Sequence, residues 1–181
     1  MQIDGPSYTA YVDDEALGSM RARGEDPPAL MERAIRADNE IVDAFPEITF
    51  GIHLCRGNSR SQWHRRGAYD GIAERLFTGL HHHRLLLEYD DERSGGFEPL
   101  RFVPKGKTVV LGLITTKTGE LETFDDLRRR IDEASRYIPL DQLALSPQCG
   151  FASSIPGNML SEDEQWRKID LMLRTAQAVW S

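Results

Sequence analysis

Four residues of this chain carry side chains suited to holding a soft divalent metal: His53, Cys55, Glu88 and Cys149. His53 and Cys55 close the run Ile52-His53-Leu54-Cys55, and residues two apart in an extended segment point to the same face. Glu88 ends the apolar run Leu85-Leu86-Leu87, and Cys149 follows Leu145-Ser146-Pro147-Gln148. Two thiolates, an imidazole and a carboxylate form a donor mix that Zn²⁺ accepts in tetrahedral array. Taken singly, each residue has a plainer reading. A buried cysteine is usually a small core hydrophobe, and a glutamate after three leucines is commonly a solvated strand end. The case for a metal therefore depends on the four meeting, which requires elements that bring distant strand ends together.

Short β-branched and leucine-rich runs near residues 1–4, 48–55, 84–89, 108–115 and 142–146 alternate with segments of helical periodicity. The helical stripes are Leu30/Met31, Ala34/Ile35, Ile41/Val42 and Phe45, then Tyr69, Ile72, Leu76 and Leu80, then Phe124, Leu127, Ile131, Ala134 and Ile138. A last helix opens on the capping-box pattern Ser161-Glu162-Asp163-Glu164, and its predicted apolar side carries Trp166, Ile169, Leu173, Ala176 and Trp180. Such alternation predicts repeated βα units around a parallel sheet. In parallel sheets and barrels, side chains from successive strands converge at the carboxyl ends, where all four candidate ligands fall.

Composition narrows the function classes. The chain has 181 residues, 40% hydrophobic and 28% charged, which suits one globular domain spanning 1–181. A net charge of −7 offers no basic stripe for nucleic acid. No run of about 18 apolar residues suggests a membrane span and no basic-then-apolar leader stands at Met1, so a cytoplasmic protein is expected. In a reducing compartment two cysteines serve better as ligands, nucleophiles or core packing than as a disulfide. His81-His82-His83 reads as a polar loop, because three adjacent residues cannot face one site. Asp90, Asp91 and Glu92 read as solvated loop charge, and Trp63-His64 as part of a rim loop.

Several segments resemble the cobalamin-independent methionine synthases and their shorter relatives: Gln2-Ile3-Asp4-Gly5-Pro6, His53-Leu54-Cys55-Arg56-Gly57-Asn58, Leu86-Leu87-Glu88-Tyr89-Asp90, Leu111-Gly112-Leu113-Ile114-Thr115-Thr116-Lys117 and Ser146-Pro147-Gln148-Cys149-Gly150-Phe151. The resemblance implies a TIM-barrel-type α/β fold and methyl transfer from a folate donor to the thiolate of homocysteine on zinc. It implies His53, Cys55, Glu88 and Cys149 as the zinc ligands and Asp4 as the carboxylate that binds the substrate amino group. Two positions depart from the family pattern. Gly5 stands where the family has an acidic residue, and Lys117 stands roughly where it has a histidine that protonates the leaving group. Lys117 is therefore the candidate for anion binding or proton donation, and a methyl-corrinoid donor or a coenzyme-M-like thiol stays open beside methyl-folate and homocysteine. The resemblance starts at about the fourth barrel strand, so a partial barrel of five βα units is expected. Open strand edges of that kind are usually paired or covered, which points to a homo-oligomer or a partner chain. A non-catalytic half-barrel subunit held together by zinc is the third reading.

Overall fold

The computed structural model describes residues 1–181, all ten named elements of which form one α/β layer pair. Five strands run in parallel: β1 (Gln2–Asp4), β2 (Gly51–Leu54), β3 (Arg84–Glu88), β4 (Thr108–Ile114) and β5 (Leu143–Pro147). They lie in sequence order, each beside the next, which is the arrangement of consecutive staves in a βα barrel left open at β1 and β5. The predicted strands and the TIM-barrel-type class are both borne out.

Five helices accompany them: α1 (Asp14–Ala22), α2 (Pro27–Asp43), α3 (Ala73–Gly79), α4 (Phe124–Ala134) and α5 (Glu162–Trp180). Their starts have local chemical causes. Asp26 accepts from Ala29 N ahead of Pro27 and Pro28, which need no hydrogen-bond partner for a missing N–H. Thr123 caps α4 through Asp126 N, and Ser161 and Glu164 form the reciprocal capping box expected for α5. The segment predicted from Tyr69 divides into a 3-10 turn at Tyr69–Gly71 and the short α3, with Tyr69, Ile72, Leu76 and Leu80 all buried. In α2 the inward residues are Met31, Ile35 and Val42, whereas Ile41 and Phe45 face solvent.

Period-two alternation splits the sheet into two unlike faces. Ile52, Leu54, Leu85, Leu87, Val109, Leu111 and Leu143 enter the 27-residue core shared with the helices. The alternate residues Leu86, Val110, Ala144 and Ser146 remain half-buried on the opposite face. Register aligns Asp4 with His53 and Glu88 with Gly112, so the rim residues of neighbouring strands stand side by side. Gly112 is required there. A Cβ at that position would lie 2.8 Å from Gln148 Cα and 2.9 Å from Leu87 O, and the β4–β5 register shifts just beyond it.

The inward side of α5 differs from the predicted stripe. Lys168, Leu171 and Thr175 are buried, while Trp166 and Leu173 are exposed. The reason is ionic: Lys168 reaches Glu122 at 3.1 Å and also donates to Glu120 O, so a charged side chain with satisfied partners takes the inward position that pattern reading assigns to apolar ones. Glu122 in turn accepts from Thr115 N at 2.8 Å, tying α5 to the loop at the end of β4.

Candidate metal centre

The carboxyl ends of β2, β3 and β5 bring His53, Cys55, Glu88 and Cys149 together, with one donor atom from each lying within 4.8 Å of every other. Cys55 Sγ and Cys149 Sγ are 3.9 Å apart, and His53 Nε2 is 3.3 Å from Glu88 Oε1. Tetrahedral zinc with bonds of about 2.3 Å to sulfur and about 2.0–2.1 Å to nitrogen and oxygen demands edges of about 3.8 Å and about 3.3 Å between like donors. The donor set and its spacing fit Zn²⁺.

Each donor is oriented by a neighbour. His53 is buried; its Nδ1 lies 3.3 Å from Asp4 Oδ1, which leaves Nε2 to face the cluster once Nδ1 carries the hydrogen. A carboxylate behind a ligating imidazole fixes its tautomer and raises its basicity. Nε2 also lies 3.1 Å from Gln148 O. Gly57 N donates to Cys55 Sγ at 3.3 Å, and Ser153 Oγ lies 3.4 Å from Cys149 Sγ. Gly57 adopts a positive φ of 102°, and a Cβ there would fall 2.3 Å from the His64 ring, so only glycine makes this turn. Glu88 accepts from Arg56 N at 3.1 Å, and its own backbone N–H donates to Tyr69 Oη at 3.2 Å.

Charge in this cluster is unevenly shared. The hydrogen bond from Cys55 pulls the Cys149 thiol down to about 6 against the opposing effect of burial, with help from Ser153 and His53. The same hydrogen bond, together with burial, pushes Cys55 up, so the pair holds one proton between two sulfurs. Burial disfavours the charged forms of both His53 and Glu88 and is the largest single effect on each, yet their mutual hydrogen bond and charge, with Cys149 and Asp4 beside His53 and the Arg56 N–H on Glu88, together outweigh it, raising the imidazole and lowering the carboxyl. Cys149 and Glu88 are thus already drawn toward the anionic forms a cation requires, whereas Cys55 and His53 would release protons on binding one.

Lys117 stands at the edge of the cluster with its ammonium donating to Gly57 O at 2.7 Å and Asn58 Oδ1 at 2.8 Å. Burial lowers its pKa. Asn58 Nδ2 continues to Gly150 O at 2.7 Å and Ser153 Oγ at 2.8 Å, so one chain of hydrogen bonds joins the loops that follow β2, β4 and β5. Asp4, on the exposed side of β1, points one oxygen at His53 and leaves the rest of its carboxylate to solvent.

Three residues near the centre escaped sequence reading. Arg56 is fully buried with its guanidinium 4.5 Å over the Tyr69 ring, and Arg93 reaches under Glu88. Asp90, expected in solvent, is instead 1% exposed and pairs with Arg93 at 2.9 Å, because the buried guanidinium needs an anion. Burial raises its pKa to about 6 even beside that cation. No periodicity marks Arg56, in the loop after β2, or Arg93, in a single 3-10 turn at Glu92–Ser94, because neither segment is long enough for a pattern of apolar residues to give a facing. Trp63 rests between Arg66 and Arg93, with their guanidinium carbons 5.0 and 5.2 Å from its ring. A cleft of about 270 Å³ opens on the half-buried face beside His53 and Cys149, lined also by Gln2, Leu86 and Ser146.

No family model matches the chain. It is 47% identical to the uncharacterized proteins YxjH and YxjG of Bacillus subtilis, over 99% of its own length and 48% of theirs. Among solved structures it superposes with a TM-score of 0.74 and 34% identity on a Listeria monocytogenes protein described as a candidate vitamin-B12 independent methionine synthase, covering 99% of this chain and 48% of that one. A B12-independent methionine synthase from Shewanella sp. W3-18-1, in complex with selenomethionine, matches with a TM-score of 0.67 at 20% identity over 98% of this chain and 47% of that one. At that identity the likeness concerns the fold. The chain spans about half the length of the curated relatives it matches. No helix is long and apolar enough to cross a membrane.

Proposed function

We propose that this chain is the zinc-binding catalytic part of an S-methyltransferase of the B12-independent methionine synthase type, transferring a methyl group from a folate-type donor to homocysteine. The observation that carries the reading is the four-donor cluster at the carboxyl rim, with sulfur–sulfur and nitrogen–oxygen spacings that match the edges of a zinc tetrahedron. The likeness to the Listeria and Shewanella proteins over half their length supports it.

In this reading His53, Cys55, Glu88 and Cys149 hold Zn²⁺, which supplies the positive charge that deprotonates a substrate thiol near neutral pH while leaving the sulfur nucleophilic. The chain's own residues do the rest. Asp4 orients the His53 imidazole and presents its free oxygen toward the amino group of an amino-acid thiol lying in the adjoining cleft. Gly57 N and Ser153 Oγ hold the two cysteine sulfurs in place. Carboxylate oxygen is the hardest donor of the four, so Glu88 is the residue that would yield its place to a substrate sulfur.

Lys117 favours keeping a second reading: a related zinc thiol-alkylating enzyme with another methyl donor, such as a methyl-corrinoid. Two of its three N–H groups are engaged by Gly57 O and Asn58 Oδ1, which suits a clamp between loops better than a proton donor to a folate leaving group. The open edges of β1 and β5 suit a further chain segment, a second copy or a partner chain that continues the sheet. Two cysteines serving as ligands fit a reducing compartment such as the cytoplasm.

Zinc analysis of the purified chain, followed by zinc-edge X-ray absorption with and without homocysteine, tests the reading. One zinc per chain with two sulfur ligands rising to three on adding homocysteine is the expected result. A folded protein without zinc overturns it and leaves a remnant or partner-dependent subunit; zinc with a sulfur count unmoved by homocysteine overturns it in favour of a non-catalytic half-barrel subunit held together by zinc.

A further inference from the structure

Glu88 has partners on two sides. Its carboxylate is fully buried, with Oε1 turned to His53 and to Arg56 N, while Oε2 has no hydrogen bond and lies 3.5 Å from Arg93 Nη2. The Arg93 side chain is itself only 4% exposed. Asp90 engages the same nitrogen at 2.9 Å and Asp91 engages the other, so the guanidinium is anchored before Glu88 is counted, and its Nε remains without a partner. A separation of 3.5 Å is an ion pair without a hydrogen bond; charge-assisted bonds form near about 2.8 Å, a closure of less than about 1 Å. A buried carboxylate that leaves one cation must find another, because an unpaired buried charge costs several kcal/mol.

We infer that Arg93 is a positioning residue for thiol exchange, offering the Glu88 carboxylate a second seat when a substrate sulfur takes its place in the ligand cluster. The inference rests on the methyltransferase reading and adds to it the residue that makes the exchange reversible. One anionic donor replaces another: the entering thiol releases its proton to solvent, its sulfur occupies the position of Oε1, and Glu88 closes on Arg93. The exchange would add one negative charge to the pocket, and Arg93, 3.5 Å from Oε2, is the buried cation on which the displaced carboxylate would close.

Cobalt(II)-substituted protein tests this, since sulfur-to-cobalt charge-transfer absorption counts thiolate ligands without any turnover. Homocysteine is titrated into the wild-type chain, R93M and the double variant E88A/R93M, with cobalt content and circular dichroism measured for each. Wild type is expected to gain one thiolate. R93M is expected to keep its cobalt and need at least 10-fold more homocysteine for the same change. Deleting Glu88 as well should restore titration to within about 3-fold of wild type, because no carboxylate then needs a seat; a purely structural role for Arg93 would not be cured this way. If R93M does not fold, R93K takes its place: its compact ammonium cannot reproduce the planar fork that spans Asp90, Asp91 and Glu88, and at least a 3-fold weakening is expected. Titration of R93M, or of R93K in its place, like wild type, or a double variant as weak as R93M, overturns the role of Arg93 alone. A wild-type chain that gains no thiolate overturns the methyltransferase reading itself and this inference with it.

Discussion

The two buried histidines of this chain sit at opposite ends of the same parallel sheet and meet opposite fates. His53, at the carboxyl ends of the strands, has Asp4 on one ring nitrogen and Glu88 and Gln148 O on the other, and its pKa is raised. His82, just before β3 at the amino ends, is fully buried with no hydrogen bond on either nitrogen, and burial lowers its pKa to about 4. Its ring packs edge-on against Phe50 at 6.4 Å, which is the contact of a core residue. The expectation of a polar His81-His82-His83 loop holds for its exposed neighbours and fails for His82. Identical side chains become a candidate ligand or a piece of packing according to whether neighbouring strands supply carboxylates beside them. At this sheet the carboxyl ends of β2, β3 and β5 bring four donor side chains together, whereas His82 at the amino ends meets no polar partner.

The strongest way to break that contrast is Cys149→Ser. Removing one of two sulfurs should lower zinc affinity by more than about 100-fold, beyond the 10- to 100-fold effect of disturbing residues behind the ligands. Chelator competition would measure it; near-normal affinity would mean the rim cluster is not a metal site. A second test addresses the other end. The neutral form of His82 is favoured by folding, so the unfolded chain binds its proton first, and stability present above about pH 6.5 is lost as pH falls toward about 4. His82→Phe should remove about 2 kcal/mol of that acid sensitivity in urea unfolding at pH 7 against pH 4.5. An unchanged pH profile would show that His82 is not the buried neutral group described.

Asp4→Asn sharpens the role of the carboxylate behind His53. Asp4 is two-thirds exposed, so the expected loss of zinc affinity is near about 10-fold, the low end for an orienting carboxylate. If zinc affinity is unchanged while the homocysteine concentration for half-saturation rises, Asp4 acts on substrate alone. The smallest effect is expected from Tyr69→Phe, which removes the acceptor of the Glu88 backbone N–H. A cost of about 1 kcal/mol in thermal unfolding, with zinc still bound, is the outcome to look for.

Strand positions, the start of α5 and the four metal-ligand candidates were legible in the linear sequence because each depends on local pattern. Short apolar runs mark β2 to β5, the Ser161/Glu164 pair marks the start of α5, and ligand types at strand ends mark the cluster. The α5 facing was misjudged for a physical reason: Trp166 lies outward with its Nε1 bonded to Glu162 at 3.2 Å, while Lys168 turns inward to its paired glutamate. Helix α1 went unnoticed because it buries no residue and so carries no apolar stripe.

Side-chain chemistry and periodicity by themselves determined that this chain folds as a parallel α/β unit with sulfur, nitrogen and oxygen donors at its strand ends. Only the tertiary structure decided that those donors lie at zinc-like spacing, that Asp4 stands behind His53, and that Arg93 reaches under Glu88. The reason is the range of the forces involved. Hydrophobic alternation is written within a few residues, whereas the pairing of a buried charge depends on partners tens of residues away, whose arrival is known only once the sheet has formed.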